Sequence, residues 1–194
     1  MRARLALFAS KQKVEMREVL LREKPSEFLK ASDSGTVPCL LTKEETIDES
    51  LDIMIWALKK NDPAKWLEMP KPGYDLIMQN DGSFKESLDK TKYHSRYPDE
   101  DPRENRRLAS RFILKLEQTM AKRFLFGDQP KIADMAILPF VRQFAFIDKT
   151  WFDQQPWPKV RNWLNEFLRS QMFLNIQHKY DQWKPGTGSV FFPL

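Results

Sequence analysis

The feature that most constrains this chain is a change of hydrophobic rhythm near residue 61. Before it the pattern shifts every few residues; beyond about residue 72 it keeps to the helical period. In the first stretch, "RARLALFASK" predicts a helix with Leu5, Phe8 and Ala9 on one face. "VEMREVLL", residues 14–21, is strand-like at Val14 and Met16. "KPSEFLKASDSG" reads as a short helix or turn stopped at Gly35. "PCLLT" and "ETID" read as two strands joined by a tight polar turn at Lys43 and Glu44, and "ESLDIMIWALKK" as a helix presenting Leu51, Met54, Ile55 and Leu58. Residues 61–72 fall in "NDPAKWLEMPKPG", whose prolines and glycine suit a linker.

After the linker no strand signal is found. "RENRRLASRFILKLEQTMAK" sets Leu108, Phe112, Ile113, Leu116 and Met120 on one stripe. "IADMAILPFVRQFAF" is apolar nearly all round and predicts a buried helix that Pro139 should end or kink. "KVRNWLNEFLRS" aligns Val160, Trp163, Leu164, Phe167 and Leu168, and the tail "KPGTGSVFFPL" reads as irregular. The expected plan is a small α/β domain over 1–60, the 61–72 linker and an all-helical domain over 73–194.

Composition narrows the function. The 32 basic and 27 acidic residues are interspersed, so the +5 net charge favours small anions without the clustered basic face of a nucleic-acid binder. One cysteine, Cys39, excludes an internal disulfide and points to a reducing, cytoplasmic setting. No apolar run approaches the ~18 residues that would span a membrane. "LALFA" is too short for a secretory leader and is soon followed by Lys11 and Lys13. His94 and His178 stand alone, so no metal is expected.

The chemistry gathers around "TVPCLLTKEETIDES", residues 36–50. Pro38 cannot donate to a sheet ladder and belongs at a strand's head. A cis Val37–Pro38 bond would turn the Val37 N–H and C=O outward, where an extended peptide could pair with them; an ordinary trans proline is the alternative. Glu49 and Ser50 open a helix, whose amides and partial positive charge suit a carboxylate, while Glu49 suits an ammonium. Simple capping is the other reading of this pair.

"EKP" at 23–25, "GTVP" at 35–38 and "DESLDI" at 48–53 resemble the first domain of cytosolic glutathione S-transferases, with the omega-like and bacterial cysteine-type members nearest in feel. "FGDQPKIADMAILPFV", residues 126–141, resembles the signature helix of their second domain. The resemblance implies an α/β thioredoxin-like domain followed by an all-α domain, glutathione as ligand, and a homodimer. It carries over Val37 and Pro38 to the cysteinyl part of glutathione, Glu49 and Ser50 to the γ-glutamyl end, and Lys24 to the glycyl carboxylate. Tyr93, His94 and Tyr97, in a stretch near the interdomain cleft of the resembling folds, would serve the pocket of an electrophile; a solvated helix end is the alternative.

Two departures from the family pattern stand out. Lys131 occupies the usual Ser or Thr cap three residues before Asp134, so half of a capping box should be lost, at about 1 kcal/mol. The chain also opens inside what resembles the family's first helix. The preceding strand and nucleophile-bearing loop are not in view, the catalytic residue is unknown, and the facing edges of 14–21 and 38–42 are expected to lack a partner strand. A start at an internal methionine would account for this. Cys39, following Pro38 on a strand, reads as structural rather than nucleophilic. The expected activity is thiol transfer to an electrophile or thiol–disulfide exchange. The rivals are a non-enzymatic docking module of the same fold and a glutaredoxin-like reductase.

Overall fold

The structure, a computed structural model, describes residues 1–193. Its chain divides into two compact units, one of residues 1–63 with 171–194 and one of residues 64–170. The break at 63–64 falls within the expected linker. The return of 171–194 to the first unit differs from the expected 73–194 domain.

In the first unit, α1 (Arg2–Ser10) leads to β1 (Val14–Glu15), α2 (Ser26–Ala31), β2 (Leu40–Leu41), β3 (Thr46–Ile47) and α3 (Ser50–Lys60). α1 packs on α3 on one side and on α10 (Gln171–Ile176) on another. That double cover is why Ala3, Leu5, Ala6 and Leu7 are all buried, while the predicted face residues Phe8 and Ala9 are only half-buried. Ala3, Ile47 and Ile53 form a small core with Leu40 and Trp56 against it. The β2–β3 turn is closed by Thr42, whose hydroxyl accepts from the Glu44 and Glu45 N–H groups at 3.1 and 2.9 Å.

The tail is not irregular throughout, as the sequence reading had it. β4 (Phe191–Phe192) pairs antiparallel with β1, Val14 opposite Phe192 and Glu15 opposite Phe191. The Met16 N–H continues the ladder to the Val190 carbonyl at 2.7 Å, and Trp183 N–H reaches the Glu18 carbonyl at 2.9 Å. The strand expected over 14–21 is therefore short, and its backbone groups find their partners in the C-terminal segment. Phe192, 2% exposed, anchors that segment. Among the described residues β2 pairs only with β3.

The second unit is helical: α4 (Lys71–Gln79), α5 (Lys85–Lys92), α6 (Pro102–Thr119), α7 (Ile132–Ala145), α8 (Lys149–Asp153) and α9 (Pro158–Arg169). A π-turn over Asn80–Phe84, broken at Gly82, joins α4 to α5. Of the predicted stripes, Phe112, Ile113, Leu116 and Met120 are buried, as are Val160, Trp163, Leu164 and Phe167, while Leu108 and Leu168 are half-buried. Phe84 stacks on Phe112 at 4.7 Å and meets Phe144 edge-on at 5.8 Å.

α7 continues through Pro139 rather than ending there. Its neighbours Ile137, Leu138 and Val141 are fully buried, so packing on all sides offsets the missing backbone donor. At its start the Lys131 N–H donates to Asp134 Oδ2 at 2.8 Å, while the Lys131 ammonium, which has no lone pair to offer, donates to the Lys65 carbonyl at 2.8 Å. Only half of the capping box exists. Asp134, wholly buried, instead also accepts from the Leu125 N–H at 3.0 Å and ties a preceding loop to the helix. Among the described residues no helix is long and apolar enough to cross a membrane, and no group of three or more His, Cys, Asp or Glu could hold a metal ion.

Candidate functional site

The hairpin register organises the site. Leu41 pairs with Thr46 and Leu40 with Ile47. Continued outward, that register sets Cys39 against Asp48 and Pro38 against Glu49. The first of these pairs is felt electrostatically: the Asp48 carboxylate, next after desolvation, raises the Cys39 thiol. The hairpin therefore carries Pro38 toward the start of α3, where Glu49 and Ser50 sit.

Asp48 is the hub of this corner. Its Oδ1 accepts from the Ser32 hydroxyl at 2.8 Å and its Oδ2 from the Ser34 N–H at 3.2 Å. The Ser34 and Thr36 hydroxyls are 2.7 Å apart, which extends the network along the loop that delivers Val37. The Ser32 hydroxyl first, and then the Cys39 thiol, hold the Asp48 carboxyl below its ordinary range. Desolvation, and then the same Asp48 carboxylate, push the Cys39 thiol up to about 11. A thiol so raised is a poor nucleophile. Neither Asp48 nor the serine pair was singled out from the sequence. The only available signal was Asp48 immediately before Glu49, opposite Cys39 if the hairpin register is continued outward.

The Val37–Pro38 bond is cis. Val37 is 44% exposed, and its main chain makes no hydrogen bond among the described residues. Glu49 is the N-cap of the eleven-residue α3 but gives it no side-chain bond. Among the described residues neither the Glu49 carboxylate nor the Ser50 hydroxyl has a hydrogen-bond or ion-pair partner. Capping, the plain alternative for these two side chains, is not what they do. The opening turn of α3 thus presents N–H groups without a side-chain cap, beside an unengaged hydroxyl and carboxylate.

Lys24 lies half-buried just before α2 and makes no ion pair with a described residue. The aromatic candidates belong to the second unit and do not converge. Tyr93 is clasped between the Lys92 ammonium at 4.6 Å and the Arg96 guanidinium at 4.7 Å. His94 lines a cavity of about 660 Å³, whereas Tyr93 and Tyr97 are not in its wall.

Residues 1–66 match the glutathione S-transferase N-terminal domain and residues 103–166 match the glutathione S-transferase C-terminal domain. Together these matches span about two thirds of the chain. Among curated proteins none matches the sequence. Solved structures are similar in fold. Glutathione transferase Omega 3C from Trametes versicolor superposes with a TM-score of 0.75 at 15% identity, over 93% of this chain and 85% of that one. Poplar glutathione transferase F1 gives 0.71 at 17% identity, over 90% and 89%. A glutathione S-transferase-I bound with lactoylglutathione gives 0.69 at 18% identity, over 90% and 91%.

Proposed function

Because the chain belongs to the glutathione S-transferase superfamily, we propose that its first unit binds glutathione where the β2–β3 hairpin meets α3. The observation that carries this reading is the pair Glu49 and Ser50, at the head of a helix they do not cap. In the proposed complex the α-carboxylate of the γ-glutamyl group accepts from the Ser50 hydroxyl and the first N–H groups of α3. Glu49 pairs with the neighbouring ammonium. A carboxylate at a helix start gains roughly 0.3–1 kcal/mol from the helix dipole, and each bond to a charged group contributes about 1.5–3 kcal/mol.

The Val37 N–H and C=O pair with the main chain of the cysteinyl residue, in the manner of a strand added to an edge. Lys24 faces the glycyl carboxylate. The bound thiol would then transfer to an electrophile or enter thiol–disulfide exchange. We assign no catalytic residue to this step. Cys39 does not suit it, because desolvation and then the neighbouring Asp48 push its thiol up to about 11. The same membership is the ground for expecting a homodimer.

The test is calorimetric titration of glutathione and of S-methylglutathione into the purified chain. Saturable one-site binding that weakens at least tenfold in a Glu49→Gln/Ser50→Ala double variant is expected. No binding by the folded protein would overturn the assignment and favour the docking-module reading of the same fold.

A further inference from the structure

Asp48 stands one residue ahead of Glu49, the N-cap of α3, yet its carboxylate oxygens reach far back along the chain. Oδ1 accepts from the hydroxyl of Ser32, sixteen residues earlier, and Oδ2 from the N–H of Ser34, fourteen residues earlier. Ser32 is the C-cap of α2 and is 2% exposed, so its hydroxyl has little water to turn to. The carboxylate therefore joins the end of α2 to the head of α3. An acidic residue ahead of a helix usually answers to the helix dipole; this one is turned onto a loop instead.

The hairpin does not make that join. Its pairing closes at Leu40 and Ile47. Beyond that pair the two arms run on as Val37, Pro38 and Cys39 on one side and Asp48, Glu49 and Ser50 on the other. No described residue bonds the Val37 main chain, so its place depends on the loop that leads to it.

That loop is organised by the two serines that Asp48 holds. Gly35, at φ +59, makes the turn, a conformation that favours glycine, and its N–H donates to the Ser32 carbonyl at 3.2 Å. The Thr36 N–H donates to the Ser34 hydroxyl at 3.1 Å. Ser32 and Ser34 thus fix Gly35 and Thr36, the residues immediately before Val37.

We propose that Asp48 is a positioning residue for the glutathione site, setting the Val37 segment against the Glu49–Ser50 corner so that one ligand can meet both. The role rests on the reading of that corner as the glutathione site. With the tie cut, the loop from Ser32 to Val37 has to be ordered each time a ligand binds, and that ordering subtracts from affinity. The opening amides of α3 and the Ser50 hydroxyl are untouched by the change. Asp48 also raises the Cys39 thiol, after desolvation, so an effect of its charge on that thiol has to be separated from an effect on the loop.

Two substitutions separate them in calorimetric titrations of glutathione into the full chain, run well below each variant's thermal midpoint. Asp48→Ala removes both bonds and should weaken glutathione binding about tenfold or more. Asp48→Asn keeps an oxygen for the Ser34 N–H and offers an NH2 group to the Ser32 hydroxyl, so it should stay within about threefold of the parent. Both remove the charge beside Cys39 and should speed its alkylation alike. In the unliganded protein, hydrogen exchange at the Ser34 amide should accelerate in Asp48→Ala and not in Asp48→Asn. Should Asp48→Ala not fold, Ser32→Ala breaks one of the two bonds and should weaken binding about threefold. Equal weakening in the Ala and Asn variants would assign the effect to charge and overturn the positioning role. Binding by folded Asp48→Ala, or by Ser32→Ala in its place, at the parent's affinity would overturn that role and leave the glutathione site standing. No glutathione binding by the parent would overturn both.

Discussion

Cys39 stands opposite Asp48 at the open end of the β2–β3 hairpin, one register step beyond Leu40 and Ile47, and the Asp48 carboxylate adds to the desolvation that raises the Cys39 thiol. With the thiol pushed up to about 11, its thiolate fraction at pH 8 is about one in a thousand. Alkylation by iodoacetamide at pH 8 should therefore run on the order of a hundredfold slower than for free cysteine. The rate should climb about tenfold per pH unit up to pH 10. Asp48→Asn removes the charged acceptor and should speed the reaction at pH 8. Alkylation of the parent protein at the free-cysteine rate would show that the thiol is not raised.

Glu49→Gln and Ser50→Ala test whether the α3 corner is a ligand site or a structural one. Each should weaken glutathione binding about tenfold, the loss of one charged hydrogen bond. Neither side chain caps α3, so thermal midpoints should stay within a degree or two, unlike a true cap change costing about 1 kcal/mol. A fall of several degrees in both variants would assign the pair to stability.

Asp134 should give the second unit a distinct pH signature. Burial pushes its carboxyl from 3.8 up to about 6, although the Leu125 and Lys131 N–H groups pull it back. A raised carboxyl binds more protons folded than unfolded between those two values. Its contribution to stability is complete below about pH 4 and is lost as pH rises through 6. A shift of about 2 units corresponds to about 3 kcal/mol. Asp134→Asn leaves one of the two N–H groups without an acceptor, so it should destabilise at every pH. The parent protein's advantage over it should shrink by roughly that amount between pH 4 and pH 7, measured by urea unfolding. A gap constant with pH would contradict the raised value.

The C-terminal strand supplies a fourth test. Phe192 is 2% exposed opposite Val14, whereas its neighbour Phe191 is 43% exposed, with the Lys13 ammonium 5.1 Å from its ring. Phe192→Ala should cost about 3–5 kcal/mol, and Phe191→Ala less than about 1 kcal/mol. Equal and small losses in urea unfolding would mean that β4 contributes little to the first unit.

The helical stripes of α6 and α9 and the hairpin of β2 and β3 were legible in the chain. Each rests on a period or turn chemistry confined to neighbouring residues. The Cys39–Asp48 pair was half legible. The hairpin was predicted, but a register error of one would have sent those two side chains apart, and local pattern does not set register so finely.

What the amino-acid order determined by itself is the set of local elements, together with the four motifs, at 23–25, 35–38, 48–53 and 126–141, whose order on one chain resembles the family. Tertiary structure alone decided that residues 171–194 return to the first unit, cover a second face of α1 and give β1 its partner strand. Backbone N–H and C=O groups are the same in every residue apart from proline's missing donor. A strand therefore carries almost no local mark of the partner it will find more than 170 residues away. That choice is made when the remaining edge and the remaining apolar side chain, here Phe192, are buried together.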